Sequence, residues 1–132
     1  MKLFLKLSII IILIGSYSSC TKPGIGGTTT VVCFLKHHTM VIVNDSIVPS
    51  VVYVKFGATE LPADPTNNYD SKFIGTIGED HVHVTELKPG QYFLYGTGWD
   101  PDISQEVKGG IGIKIKAKDK TKEIDSDIPV TE

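Results

Sequence analysis

The chain has 132 residues, 13 of them basic and 15 acidic, for a formal charge of −2. Every basic residue is a lysine, so the planar guanidinium fork that grips phosphate or guanine through paired hydrogen bonds is missing, and nucleic acid is not an expected partner. Residues 20 to 132 are enough for one domain with one hydrophobic core.

Residues 1–19 carry Lys2 and Lys6, an apolar run from Leu7 to Ile14 broken only by Ser8, and then Gly15-Ser16-Tyr17-Ser18-Ser19. This is the layout of a cleaved signal peptide, and the run is shorter than the ~20 residues a bilayer-spanning helix needs. Small residues leading into Cys20 resemble the lipobox of bacterial lipoproteins, with Tyr17 where that pattern usually carries an aliphatic residue. The resemblance implies that the Cys20 thiol is acylated, that Cys20 becomes the new N-terminus, and that its lipid holds the domain on a membrane. The expected address is a bacterial cell envelope, lipid-anchored, with the outer membrane favoured. Without residues 1–19 the chain keeps 11 lysines and 15 acids, a formal charge of −4.

Residues 20–29 are rich in Thr and Gly and read as a lipidated N-terminus followed by a flexible tether. The folded domain is expected over 30–132, as short β-type runs: Thr30 to Lys36, Met40 to Val43, Val51 to Phe56, Lys72 to Ile77, His81 to Leu87, Gln91 to Thr97, Ile111 to Lys118 and Lys122 to Val130. No run has helical period, so the expected fold class is all-β, a single antiparallel sandwich of seven or eight short strands. Cys33, inside Val31-Val32-Cys33-Phe34-Leu35, is expected as a buried small hydrophobe. The Pro-, Asn- and Asp-rich stretch from Gly57 to Ser71 is a loop.

In the last two runs Ile111, Ile113 and Ile115 alternate with lysines, while Ile124, Ile128 and Val130 alternate with Glu123, Asp125 and Asp127. A tight turn at Asp119-Lys120 would pair them as a hairpin, with Lys116 opposite Glu123 and Lys114 opposite Asp125. The lysine stripe would then have its partners inside the chain.

The stretch His81-Val82-His83-Val84-Thr85-Glu86-Leu87-Lys88-Pro89-Gly90-Gln91-Tyr92 is similar to the strand, Leu-x-Pro-Gly-x-Tyr turn, strand element of prealbumin-like sandwiches. Those include carboxypeptidase regulatory-like and collagen-adhesin B-type domains. The resemblance covers about residues 47 to 130. It implies that Leu87 and Tyr92 anchor the core, that Pro89-Gly90 makes the turn, and that the Tyr92 hydroxyl bonds backbone across the corner. Such modules serve as spacers, adhesion parts and accessory domains alike.

No nucleophile elbow, His-Glu-x-x-His helix or phosphate loop is present, so no catalytic residues and no cofactor are expected. Asp64, Asp70, Asp100 and Asp102 lack the ligand spacing of an EF-hand. His81 and His83 lie two apart on one strand face, about 7 Å between Cα atoms, and could hold a metal ion if His37 or His38 supplied a third ligand. Tyr92 and Leu94 share one parity, Phe93 and Tyr95 the other. The second pair either joins Tyr53 and Trp99 in an exposed patch for an envelope protein or glycan, or is covered by a second sheet or by the long loop. The expected function is a membrane-anchored, non-enzymatic accessory, adhesion or binding module; the alternative is a small envelope metal-binding protein using His81 and His83 with His37 or His38.

Overall fold

The computed structural model describes residues 22–45, 47–119 and 121–132; the signal segment and Cys20 lie outside the described residues. Eight strands follow one another: β1 (Ile25–His37), β2 (Met40–Val41), β3 (Val51–Phe56), β4 (Ser71–Ile74), β5 (Val82–Leu87), β6 (Gly90–Asp100), β7 (Gln105–Ile115) and β8 (Glu123–Val130). They form two four-stranded sheets, and the fold is an all-β sandwich. Among the described residues no helix is long and apolar enough to cross a membrane.

In one sheet β8 lies along one edge of β1, while β5 and β2 share the other edge, each against a different part of β1. The second sheet runs β4-β3-β6-β7. Each strand turns alternate residues inward, as the period of two requires. Val31, Cys33 and Leu35 of β1, Val82 and Val84 of β5, and Ile128 and Val130 of β8 meet Val52 and Val54 of β3, Tyr92 and Leu94 of β6, and Val107 and Ile115 of β7. A fully buried Val or Leu contributes roughly 1.5–3 kcal/mol relative to exposure, so this interior is the main source of stability.

Polar contacts close both ends of the core. At one end Gly24 N donates to the Tyr92 hydroxyl at 2.8 Å, and that hydroxyl donates to Lys88 O at 2.6 Å. Leu87 is fully buried beside it, so the Leu-x-Pro-Gly-x-Tyr element has the corner geometry its pattern implies. At the other end His37 and Asp100, the last inward residues of β1 and β6, bond each other across the two sheets at 2.6 Å.

Three expectations are corrected. First, β1 begins at Ile25, so 25–29 of the expected tether belongs to the sheet: Ile25 and Thr29 both lie opposite Leu87, with an irregularity between them. The threonines supply β-propensity that keeps the segment on the sheet despite its glycines, although its register shifts on either side of Thr29. Second, β7 starts at Gln105 rather than Ile111 and pairs along its whole length with β6. The two strands are joined by a turn in which Asp102 N donates to Asp100 Oδ1 at 2.9 Å.

Third, β7 and β8 do not form a hairpin. A single 3₁₀ turn, Ala117–Asp119, carries the chain from one sheet to the other, where β8 runs parallel to β1. Asp125 therefore lies opposite Val32 and Glu123 opposite Thr30. Lys36 takes Asp127 at 2.7 Å, while Lys114 and Lys116 face solvent without those partners. The sandwich is antiparallel in every other strand pair, with β1–β8 the parallel exception.

Of the two readings of Phe93 and Tyr95, the structure takes the packed one: they are buried, at 7% and 8% exposure, and make no exposed patch. Pro62, Pro65, Asn68 and Tyr69 of the long loop cover them together with Tyr53, whose ring lies 4.9 Å from that of Tyr69. The packing alternative holds.

Candidate metal centre

The turn before β5 is built around Gly78. Glu79 N donates to Thr76 O at 3.1 Å, and Gly78 takes φ +87°, the left-handed value that the third position of such a turn demands. Asn44, 2% exposed, fixes this turn from the other side. Its backbone N donates to Glu79 O and its O accepts from Gly78 N; its side chain donates from Nδ2 to His81 O at 2.9 Å and accepts from Ser50 N. The backbone of Gly78, Glu79 and His81 is thus held from a separate segment, which positions their side chains.

Val82 and Val84 point inward and are fully buried, so His83 lies on the outer face of β5 and His81, the residue before the strand, stacks beside it with ring centroids 4.6 Å apart. Their Nε2 atoms are 3.0 Å apart, and the Glu79 Oε2 is 3.6 Å from the Nε2 of His81. One ligand atom from each of these three residues falls within 4.8 Å of the other two. Nitrogen ligands bound at 2.0–2.1 Å around a tetrahedral zinc ion sit about 3.3 Å apart, so the spacing is close to that of a ligand set.

His81 Nδ1–H donates to Asp80 Oδ1 at 2.7 Å, which fixes the ring with its Nε2 directed at His83. The His81 bond holds the Asp80 carboxyl below the usual range, ahead of the opposing effect of burial. This carboxylate–imidazole pairing is how proteins orient a metal-binding histidine. Phe34, 5.6 Å from the His81 ring, walls the site on the β1 side. The Glu79 side chain is 41% exposed, but its Oε2 turns away from solvent and accepts no hydrogen bond.

His37 and His38 do not join this group. Lys36 and His37 turn to opposite faces of β1, and the inward parity of Val31, Cys33 and Leu35 continues to His37, which is 5% exposed. His37 Nδ1 donates to Asp100 at 2.6 Å and Nε2 donates to Glu132 at 2.8 Å, so the ring is an imidazolium between two carboxylates. The bond to Asp100 raises the His37 pKa above its ordinary value, against burial. The bond to His37 is in turn the largest cause of the lowered Asp100 pKa, and a smaller one for Glu132. With His38 and Glu132 it lines a cleft of about 240 Å³ that also includes Met40 and Ile103. His37, His38 and Glu132 have ligand spacing too, but both His37 nitrogens already have acceptors.

The other aspartates are engaged separately: Asp64 accepts from Asn67 Nδ2, and Asp70 accepts from Phe56 N. Among the described residues no calcium-like cluster of Asp64, Asp70, Asp100 and Asp102 forms. The fold and site define a β-sandwich with a His₂Glu cluster on one outer face. Comparison with known families, curated proteins and solved structures finds no match for this chain.

Proposed function

We propose that the chain is a lipid-anchored, non-enzymatic binding module of a bacterial cell envelope, prealbumin-like in its sandwich. Its ligand is one divalent transition-metal ion held by Glu79, His81 and His83. The convergence of Glu79 Oε2 with the two Nε2 atoms carries this reading: the Oε2 accepts no hydrogen bond and is shielded from water, although the Glu79 side chain is 41% exposed, and a cation between it and the imidazoles would pair it. Two imidazoles and a carboxylate suit zinc or copper(II) better than calcium or magnesium. The anchor is supported by Cys20 and the residues before it.

Calorimetric titration of the detergent-solubilised chain with zinc and copper(II) tests the ligand. One equivalent is expected to bind with submicromolar Kd; Glu79→Gln and His83→Ala each weaken it at least tenfold, and Asp80→Asn weakens it about tenfold through His81. No binding tighter than micromolar, or a Glu79→Gln protein that binds as wild type, would sink the site.

A further inference from the structure

The chain is docked almost as soon as it leaves Cys20. Pro23 packs against Gly57 and Gly90, and Gly24 bonds both Tyr92 and Lys88. Three residues reach at most about 10 Å, so an acyl chain on Cys20 brings this end of the sandwich to the lipid surface.

That end carries the lysines. Lys22 precedes the docked Pro23, and the Lys88 side chain lies over Gly26. Lys114 is opposite Gln91, beside the Tyr92 corner; Lys116 precedes the 3₁₀ turn that follows β7 and Lys118 lies within it. Lys122 O accepts from Thr30 N at 3.2 Å, which ties the far side of that turn to the same end of β1. Lys22, Lys88, Lys114, Lys116 and Lys118 make no ion pair with a carboxylate of the described residues. They outnumber the nearby Glu60, Glu86, Asp119 and Glu123, while Asp70, also at this end beside Phe56, is paired with Lys55. At the opposite end Asp45, Glu79, Asp80, Asp100, Asp102, Glu106 and Glu132 outnumber Lys108 and Lys36, the latter already paired with Asp127. Ten residue steps of β6, from Gly90 to Asp100, separate the ends, about 33 Å.

We infer that the lysine-bearing end docks on a membrane surface with anionic headgroups, and that the acidic, histidine-bearing end points away from it. This rests on the acylation of Cys20 proposed above. Lysines held within a Debye length of an anionic surface are attracted to it, while the acidic end, several Debye lengths away, is not repelled. The lipid supplies attachment and the lysines supply orientation.

Amine-reactive footprinting of the full chain in vesicles tests the orientation, with mass spectrometry of the N-terminus reading acylation separately. In vesicles of about 30% phosphatidylglycerol at low salt, Lys22, Lys88, Lys114, Lys116, Lys118 and Lys122 should label about fivefold more slowly than in phosphatidylcholine vesicles. Lys72 and Lys108 should label equally in both, and 0.5 M salt should abolish the difference. A Lys114→Gln, Lys116→Gln, Lys118→Gln variant should lose the protection of the remaining three. Equal labelling of all lysines in the two vesicle types, or protection of Lys72 and Lys108 instead, overturns the orientation. If the N-terminus carries no acyl group, the anchoring reading fails; a chain coupled to a maleimide lipid at Cys20 then still reads the orientation by the same labelling.

Discussion

His37 continues the inward row of Val31, Cys33 and Leu35, and its position explains its charge. A neutral ring there would offer one donor to two carboxylates, whereas the imidazolium satisfies Asp100 and Glu132 together. Because the folded pKa lies above the ordinary value of about 6.5, the His37 contribution is complete below that pH and is lost as pH rises through the folded value. Asp100 and Glu132 are lowered, so their contribution is present above their ordinary values near 4 and is lost as pH falls through the folded ones. The pair with Asp100 outweighs that with Glu132, whose side chain is 59% exposed and screened by water. Thermal unfolding of wild type and His37→Gln across pH checks this: the variant should be less stable near pH 5.5, and the gap should narrow as pH climbs past the folded His37 value. Two curves that stay parallel to pH 9 would contradict the ionic clasp.

The strands show where sequence pattern has force and where it stops. Gly110 of β7 sits where a Cβ would meet the Phe93 ring at 2.4 Å and Leu94 O at 2.8 Å. The second neighbour is backbone of the paired strand and cannot swing aside. Gly110→Ala should therefore cost about 1–3 kcal/mol in urea unfolding, while the exposed Lys114→Ala changes stability by less than about 0.5 kcal/mol. A Gly110→Ala protein as stable as wild type would mean that Phe93 is not held against β7. The inward and outward parities of β7 and β8 were legible, because burial imposes a period of two. Their neighbours were not: alternation fixes which face a residue takes and says nothing of which strand lies beside it, so Lys114 and Asp125 fell in different sheets. The site was legible to the same depth. Outward placement of His81 and His83 follows from Val82 and Val84, and the inward row of β1 could have placed His37 in the core. Glu79 as the third ligand depends on the grip of Asn44 on the Gly78 turn, a contact between segments distant in sequence.

The whole molecule is tied together through β1, which has β8 along one edge and β5 and β2 along the other. Cys33 sits in the middle of that strand, opposite Val82 on β5 and Ser126 on β8, and burial pushes its thiol up to about 12. Reaching the sulfur requires β1 to part from the opposing sheet, and local fraying of a terminal strand does not expose it. Alkylation of Cys33 should therefore proceed only through global unfolding, with a denaturant dependence equal to that of the loss of β-sheet circular dichroism. A labelling rate that is insensitive to denaturant below the transition would show that the sandwich opens in parts. The same experiment separates the two cysteines by rate. Acylation consumes the Cys20 thiol, so a lipidated chain should show the slow phase alone, and a fast phase of one equivalent would mean that Cys20 is free.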